Sequence, residues 1–94
     1  MNEIELISRY IEPNPNKPWL SEAWLIDSSI PVWALIGALP AVDGDLTKLA
    51  ASYDVPLEAV EAAMAFYRRH KCVIDARLEE NDPDPSWPYA VARG

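Results

Sequence analysis

Arg68-Arg69-His70-Lys71 is the densest cationic cluster in the chain. Guanidinium and ammonium groups displace the counterions that condense on a nucleic acid, so such a run can hold a phosphate backbone. Arg68, Arg69 and Lys71 are therefore the candidate DNA contacts. The same run also suits a helix end, where cations answer the negative pole of the macrodipole. Other chemistry is thinner. His70 is the single histidine and Cys72 the single cysteine, which rules out an internal disulfide. The acids lack metal-ligand spacing, there is no glycine-rich phosphate loop, and neither Ser28 nor Ser29 has an assignable base. We expect no catalytic, cofactor-binding or metal residues, no small-molecule substrate, and hence no enzyme.

The charge balance restrains the nucleic-acid reading. Eight Lys and Arg stand against 15 Asp and Glu, a formal charge of −7. Residues 1–44 carry two basic and six acidic side chains, and residues 45–94 carry six basic and nine acidic. Neither half is basic, so binding to random duplex is expected to be weak. Half of the 94 residues are hydrophobic, enough for one domain. The first residues carry acids and no long apolar run, which fits neither a signal peptide nor a membrane anchor. A cytoplasmic protein is expected.

The elements that position the cluster can be read from periodicity. Leu46, Leu49, Ala50 and Tyr53 fall at i, i+3, i+4 and i+7 and give one apolar stripe on a short helix. Asp54-Val55-Pro56 breaks it: the proline disfavours an α conformation at Val55, and its own fixed φ suits the first turn of a new helix. A second stripe of Val60, Ala63, Met64 and Tyr67 follows, so the pair reads as a helix-turn-helix. If the second helix entered a DNA groove, its leading exposed positions would be Leu57, Glu58, Glu61 and Ala62. Two carboxylates there would meet the phosphate field.

Upstream, Asp43-Gly44-Asp45 supplies a turn and a cap, and Val32, Leu35, Ile36 and Leu39 give a helical period after Pro31. Two short runs, Glu5 to Ile11 and Ala23 to Ile26, are rich in β-branched and aromatic residues and predict a hairpin. The stretch between them holds Pro13, Pro15 and Pro18 and reads as a loop. Trp24, Trp33, Phe66 and Tyr67 are expected in the core. Downstream, no glycine or proline follows Pro56 until Pro83. One helix from Leu57 to Glu80 would span about 36 Å, too long for this domain, so a bend is expected near Arg69-His70. The fold expected is mostly α: a helix-turn-helix bundle of three to four helices with a small N-terminal β-hairpin. Residues 1–80 form one domain, with a β element at 1–30 and helices at 31–80.

Val73, Ile74 and Leu78 give the distal helix an apolar face that, projecting past the globule, would want a partner. Residues 81–94 form an acidic, proline-rich tail that carries Trp87 and Tyr89. Exposed aromatics in such a tail serve as anchors, so Trp87, Tyr89, Val73, Ile74 and Leu78 are the candidate partner-binding residues. Glu79, Glu80, Asp82 and Asp84 would supply steering charge. The tail is expected to order only on a partner or a second subunit. The apolar distal face and the β-rich N-terminus predict a homodimer.

The chain resembles the small bacterial proteins of the domain-of-unknown-function 433 family over residues 24 to 80. The resemblance lies in Ile30-Pro31-Val32-Trp33, Tyr53, Glu58, Val60, Ala62-Ala63-Met64-Ala65-Phe66-Tyr67, His70-Lys71 and Ile74-Asp75. Asp27-Ser28-Ser29 stands where the family commonly has Gly-Thr-Arg, and Pro56 replaces the usual threonine cap. The resemblance implies a homeodomain-like bundle, usually dimeric, acting as antitoxin to a PIN-like ribonuclease toxin. The function expected is an antitoxin-like protein that dimerises and binds such a nuclease. The alternatives are a DNA-binding regulator and a non-catalytic interaction domain.

Overall fold

Helix formation begins at Asn2, whose side-chain oxygen accepts the Glu5 N–H at 2.8 Å, and α1 runs over Glu3–Tyr10. The computed structural model describes residues 2–81. The Glu5 to Ile11 run expected as a strand is therefore mostly helix, and only Ile11–Glu12 remains extended, as β1. Local chemistry and packing together override the β-branched composition. Glu3 and Glu5 lie at the positive end of the helix and Arg9 at the negative end. Leu6, Ile7 and Tyr10, on one helical face, pack on the core.

β1 pairs antiparallel with β2, Trp24–Leu25, in the register Ile11 to Leu25 and Glu12 to Trp24. The expected hairpin is present, but two residues long on each side. The Trp24 indole N–H donates to a Glu12 carboxylate oxygen at 2.8 Å and ties the two strands through side chains. The connecting segment is irregular apart from a short 3-10 turn at Leu20–Glu22. Beyond β2 the chain doubles back at Ser29, and Pro31 lies beside Trp24 before helix α2, Val32–Ala38, begins.

Asp45 caps α3, Leu46–Tyr53, by accepting the N–H groups of Thr47 and Lys48 at 3.0 and 3.2 Å. Helix α3 stops as the periodicity predicts. Asp54 takes a left-handed conformation (φ 56°), its N–H reaching back to the carbonyls of Ala50 and Ala51. Pro56 then opens α4, Leu57–Arg69. His70 breaks the helical path, and α5 occupies Lys71–Asn81. The bend thus falls at the expected place.

Helix α4 is the axis of the bundle. It is packed by α1, α2 and α3, and touches β1 as well. Ala59, Ala62, Ala63 and Ala65 are all buried on it. These small side chains let three helices come close to one, where larger residues would hold them apart. Leu35, Leu49, Ile74, Val32 and Val60 are the largest fully buried side chains. Leu46, Tyr53, Val55, Met64 and Tyr67 pack around that cluster, which joins the two predicted stripes across the turn. The described residues hold five helices rather than three or four, because α1 was expected as a strand. Residues 2–30 accordingly contribute a helix and a minimal hairpin rather than a β element alone.

Helix α5 folds back onto α2. Gly37, within α2, allows this approach: a Cβ there would lie 3.0 Å from a Leu78 methyl carbon. A glycine inside a helix costs about 1 kcal/mol relative to alanine, offset here by the close contact of two helices.

Candidate functional site

The candidate DNA contacts Arg68 and Arg69 sit in the last turn of α4, and Lys71 begins α5. All three are exposed, and each has an acidic partner. Arg68 donates to one Glu3 carboxylate oxygen at 2.8 Å, and the Arg69 Nε lies 3.4 Å from the other. Lys71 Nζ donates to Asp75 at 2.7 Å and lies 5.5 Å from the centre of the Tyr67 ring. The Tyr67 hydroxyl donates to the second Asp75 oxygen at 2.8 Å. This cluster is a set of ion pairs, not a bare cationic patch.

The electrostatics follow from those contacts. The Arg68 hydrogen bond, aided by the Arg69 charge, holds the Glu3 carboxyl below its ordinary value. Lys71, then Tyr67, does the same for Asp75, and Asp75 in turn raises the Lys71 ammonium. His70 closes α4, its ring centroid 4.6 Å from that of Phe66, where the length of the run predicts a bend. Cys72 is exposed.

The second helix of the motif offers little to a DNA groove. Leu57, Glu58 and Glu61 are exposed near its start, as expected, but Ala62 is fully buried. Helix α4 is packed by α1, α2 and α3, and the stripe it leaves exposed is Leu57, Glu58, Glu61 and Arg68. Its exposed leading positions carry two carboxylates, which a phosphate backbone repels.

The candidate partner face of α5 is also revised. Ile74 is fully buried, and Leu78 packs on the core and against α2, so these residues do not project past the globule. The reason is the bend at His70, which turns α5 back along α2. Val73 is half-buried. Trp87, Tyr89, Asp82 and Asp84 lie outside the described residues, as does the expectation that the tail orders only on a partner.

Other polar structure was not legible in the sequence. Arg77 Nε donates to Glu22 at 2.6 Å, with only 21% and 13% of the two side chains exposed, and the guanidinium lies 4.3 Å from the centre of the Trp33 ring. This ties the 3-10 turn to α5 and α2. Of the pairs here, only Lys71–Asp75, at i,i+4 on one helix, carried a signal in its spacing. Trp24, Trp33 and Tyr67 are half-buried, whereas Phe66 is buried.

Among the described residues no three His, Cys, Asp or Glu side chains converge to hold a metal ion, and no helix is long and apolar enough to cross a membrane. No family model, curated protein or solved structure matches the chain.

Proposed function

We propose that the chain is a non-catalytic, antitoxin-like binding protein of the cytoplasm, which dimerises and covers the basic RNA-binding face of a PIN-like ribonuclease. The observation that carries this reading is the use made of the helix-turn-helix. The exposed face of its second helix leads with Glu58 and Glu61, and the cations at its far end and just beyond it are paired with Glu3 and Asp75. What faces solvent is acidic, and an acidic surface complements a protein that binds RNA. The resemblance of residues 24 to 80 to the domain-of-unknown-function 433 family supports the nuclease as that protein. Ile4, Trp19, Leu20, Ile26 and Leu57 are exposed and supply apolar area for a second subunit or for the nuclease.

The test is co-expression with a PIN-like ribonuclease encoded beside this gene, followed by purification and an RNA-cleavage assay. The expected result is a stoichiometric complex in which cleavage is lost, and light scattering of the free chain at twice its 10.5 kDa mass. A nuclease that remains free and active in the presence of excess chain overturns the reading. Tight, sequence-selective binding of duplex DNA by the chain alone supports a transcriptional regulator instead.

A further inference from the structure

A hollow of about 440 Å³ lies where the end of α1, the turn after β2 and the turn before α4 meet. Tyr10, Ile26 and Val55 are among its apolar residues, and Arg9, Asp27 and Asp54 stand in the same lining. Among the described residues none of these three charges is in an ion pair, so they share one hollow without answering one another. Ile26 is 40% exposed, and Leu57, which opens α4 just after the turn, is 41% exposed. One face therefore offers a hollow, large apolar side chains in solvent and unanswered charges of both signs. Other grooves differ. The one along α2, beside Trp33 and Leu78, has Glu79 as the only charge in its lining. The one beside the 3-10 turn holds both signs, but its Arg77 is paired with Glu22 and its apolar lining is Trp19 alone. The one at His70 holds Arg69, which already faces Glu3, and no carboxylate. Backbone hydrogen bonds frame the hollow: the Ile26 N–H donates to the Tyr10 carbonyl and the Ser29 N–H to the Leu25 carbonyl, both at 2.9 Å, which fixes the turn that carries Asp27. Asp54 is held in the left-handed cap of α3. Preorganisation of this kind lowers the ordering cost of a contact.

We propose that this face is the contact between two copies of the chain, related by a twofold axis, with Arg9 of each copy against Asp27 and Asp54 of the other and each Ile26 at the other's hollow. A twofold contact uses the same patch on both copies, so the patch must complement itself. This one does so twice, by shape and by charge. The hollow and the apolar side chain that fills it belong to one surface, as do the cation and the carboxylates that answer it. A partner of one sign fits less well: a basic face would bring like charge to Arg9, and an acidic face would bring it to Asp27 and Asp54. The inference deepens the dimerisation proposed above and rests on it, by assigning the surface that carries it.

The test is a complementary charge reversal in the full chain, read by sedimentation equilibrium over a dilution series. Arg9→Glu and Asp27→Lys are both at exposed positions, and their melting temperatures check that each variant is folded. Symmetry counts each change twice, so either variant alone should weaken the dimer by about ten-fold or more. Mixed one to one, the two should form a heterodimer: the introduced acid of one copy meets the introduced lysine of the other, and the native Arg9–Asp27 contact survives on the second side. Its affinity should return to within about three-fold of wild type. A wild-type dimer that neither reversal weakens, or a mixture that associates no better than the separate variants, overturns this interface and leaves dimerisation standing. Tighter capture of a basic nuclease by Arg9→Glu, with the dimer unchanged, assigns the face to the nuclease and likewise overturns the proposal. A wild-type chain that is monomeric at millimolar concentration overturns the interface and the dimer together. Reversal and rescue as expected, with no nuclease neutralised, uphold the interface and overturn the antitoxin-like reading alone.

Discussion

Glu3 and Arg68, 65 positions apart in the chain, meet at 2.8 Å, and the other oxygen of the same carboxylate faces Arg69 at 3.4 Å. The first turn of α1 is thereby joined to the last turn of α4. The contact also occupies the two adjacent arginines of the cationic run.

Salt dependence of DNA binding measures that occupancy. Three free cations would give a log–log slope of about −3 per subunit. With Glu3 and Asp75 already beside them, the chain should bind random duplex with a shallower slope. Glu3→Gln, which releases Arg68 and Arg69, should tighten binding and steepen the slope. Fluorescence anisotropy between 50 and 200 mM salt decides it. A slope near −3 that Glu3→Gln does not change means that the contacts lie elsewhere, with Arg9 and Lys17 the next candidates.

Leu49 and Val60, on either side of the turn, belong to one core cluster and are 1% and 0% exposed. Leu49→Ala should cost about 2–4 kcal/mol, from lost burial plus a cavity that the bundle closes only in part. Val60→Ala removes fewer atoms and should cost about 1–3 kcal/mol. Urea denaturation followed by circular dichroism gives both values. Losses under 0.5 kcal/mol would show that the two stripes do not form one core.

The Arg77–Glu22 pair is the least exposed ion pair among the described residues. Removing one partner leaves the other partly desolvated, so Glu22→Gln should cost about 1–2 kcal/mol. Replacing both, as Glu22→Leu with Arg77→Met, should recover most of that loss because the aliphatic chains still cover Trp33. The double-mutant cycle separates the ionic contribution from the packing one.

Acid should weaken the fold in a defined window. Glu3 and Asp75 have folded values below their ordinary 4.5 and 3.8. A depressed carboxyl contributes stability that is present above the ordinary value and lost as the pH falls through the folded one. Lys71 is raised above 10.5, so its share is present below that value and persists through neutral pH. The urea midpoints of wild type and of Glu3→Gln with Asp75→Asn should differ at pH 7 and converge as the pH falls through the lowered folded values of the two carboxyls. A gap that persists at low pH would assign these carboxylates a role other than charge pairing.

The helices on either side of Pro56 could be read residue by residue, because their information is local. Period, the Asp45 cap and the proline each act within one turn of the residue concerned. The bend at His70 was legible for a related reason: length alone forbade a single helix. Glu5 to Ile11 was misread because its composition is balanced between strand and helix, and the balance was decided by α4, against whose face Leu6, Ile7 and Tyr10 pack. Ile74 and Leu78 show the same limit. Their spacing correctly marked an apolar face, but whether that face meets a partner or the chain's own α2 depends on the direction α5 takes after His70. The cationic run is the sharpest case. Its residues are plain in the sequence and suggest phosphate, yet their charge is answered by Glu3 from the far end of the described chain. A charge acts through space with no regard to sequence separation, so a pattern of cations shows where charge is and only the tertiary structure decides what neutralises it.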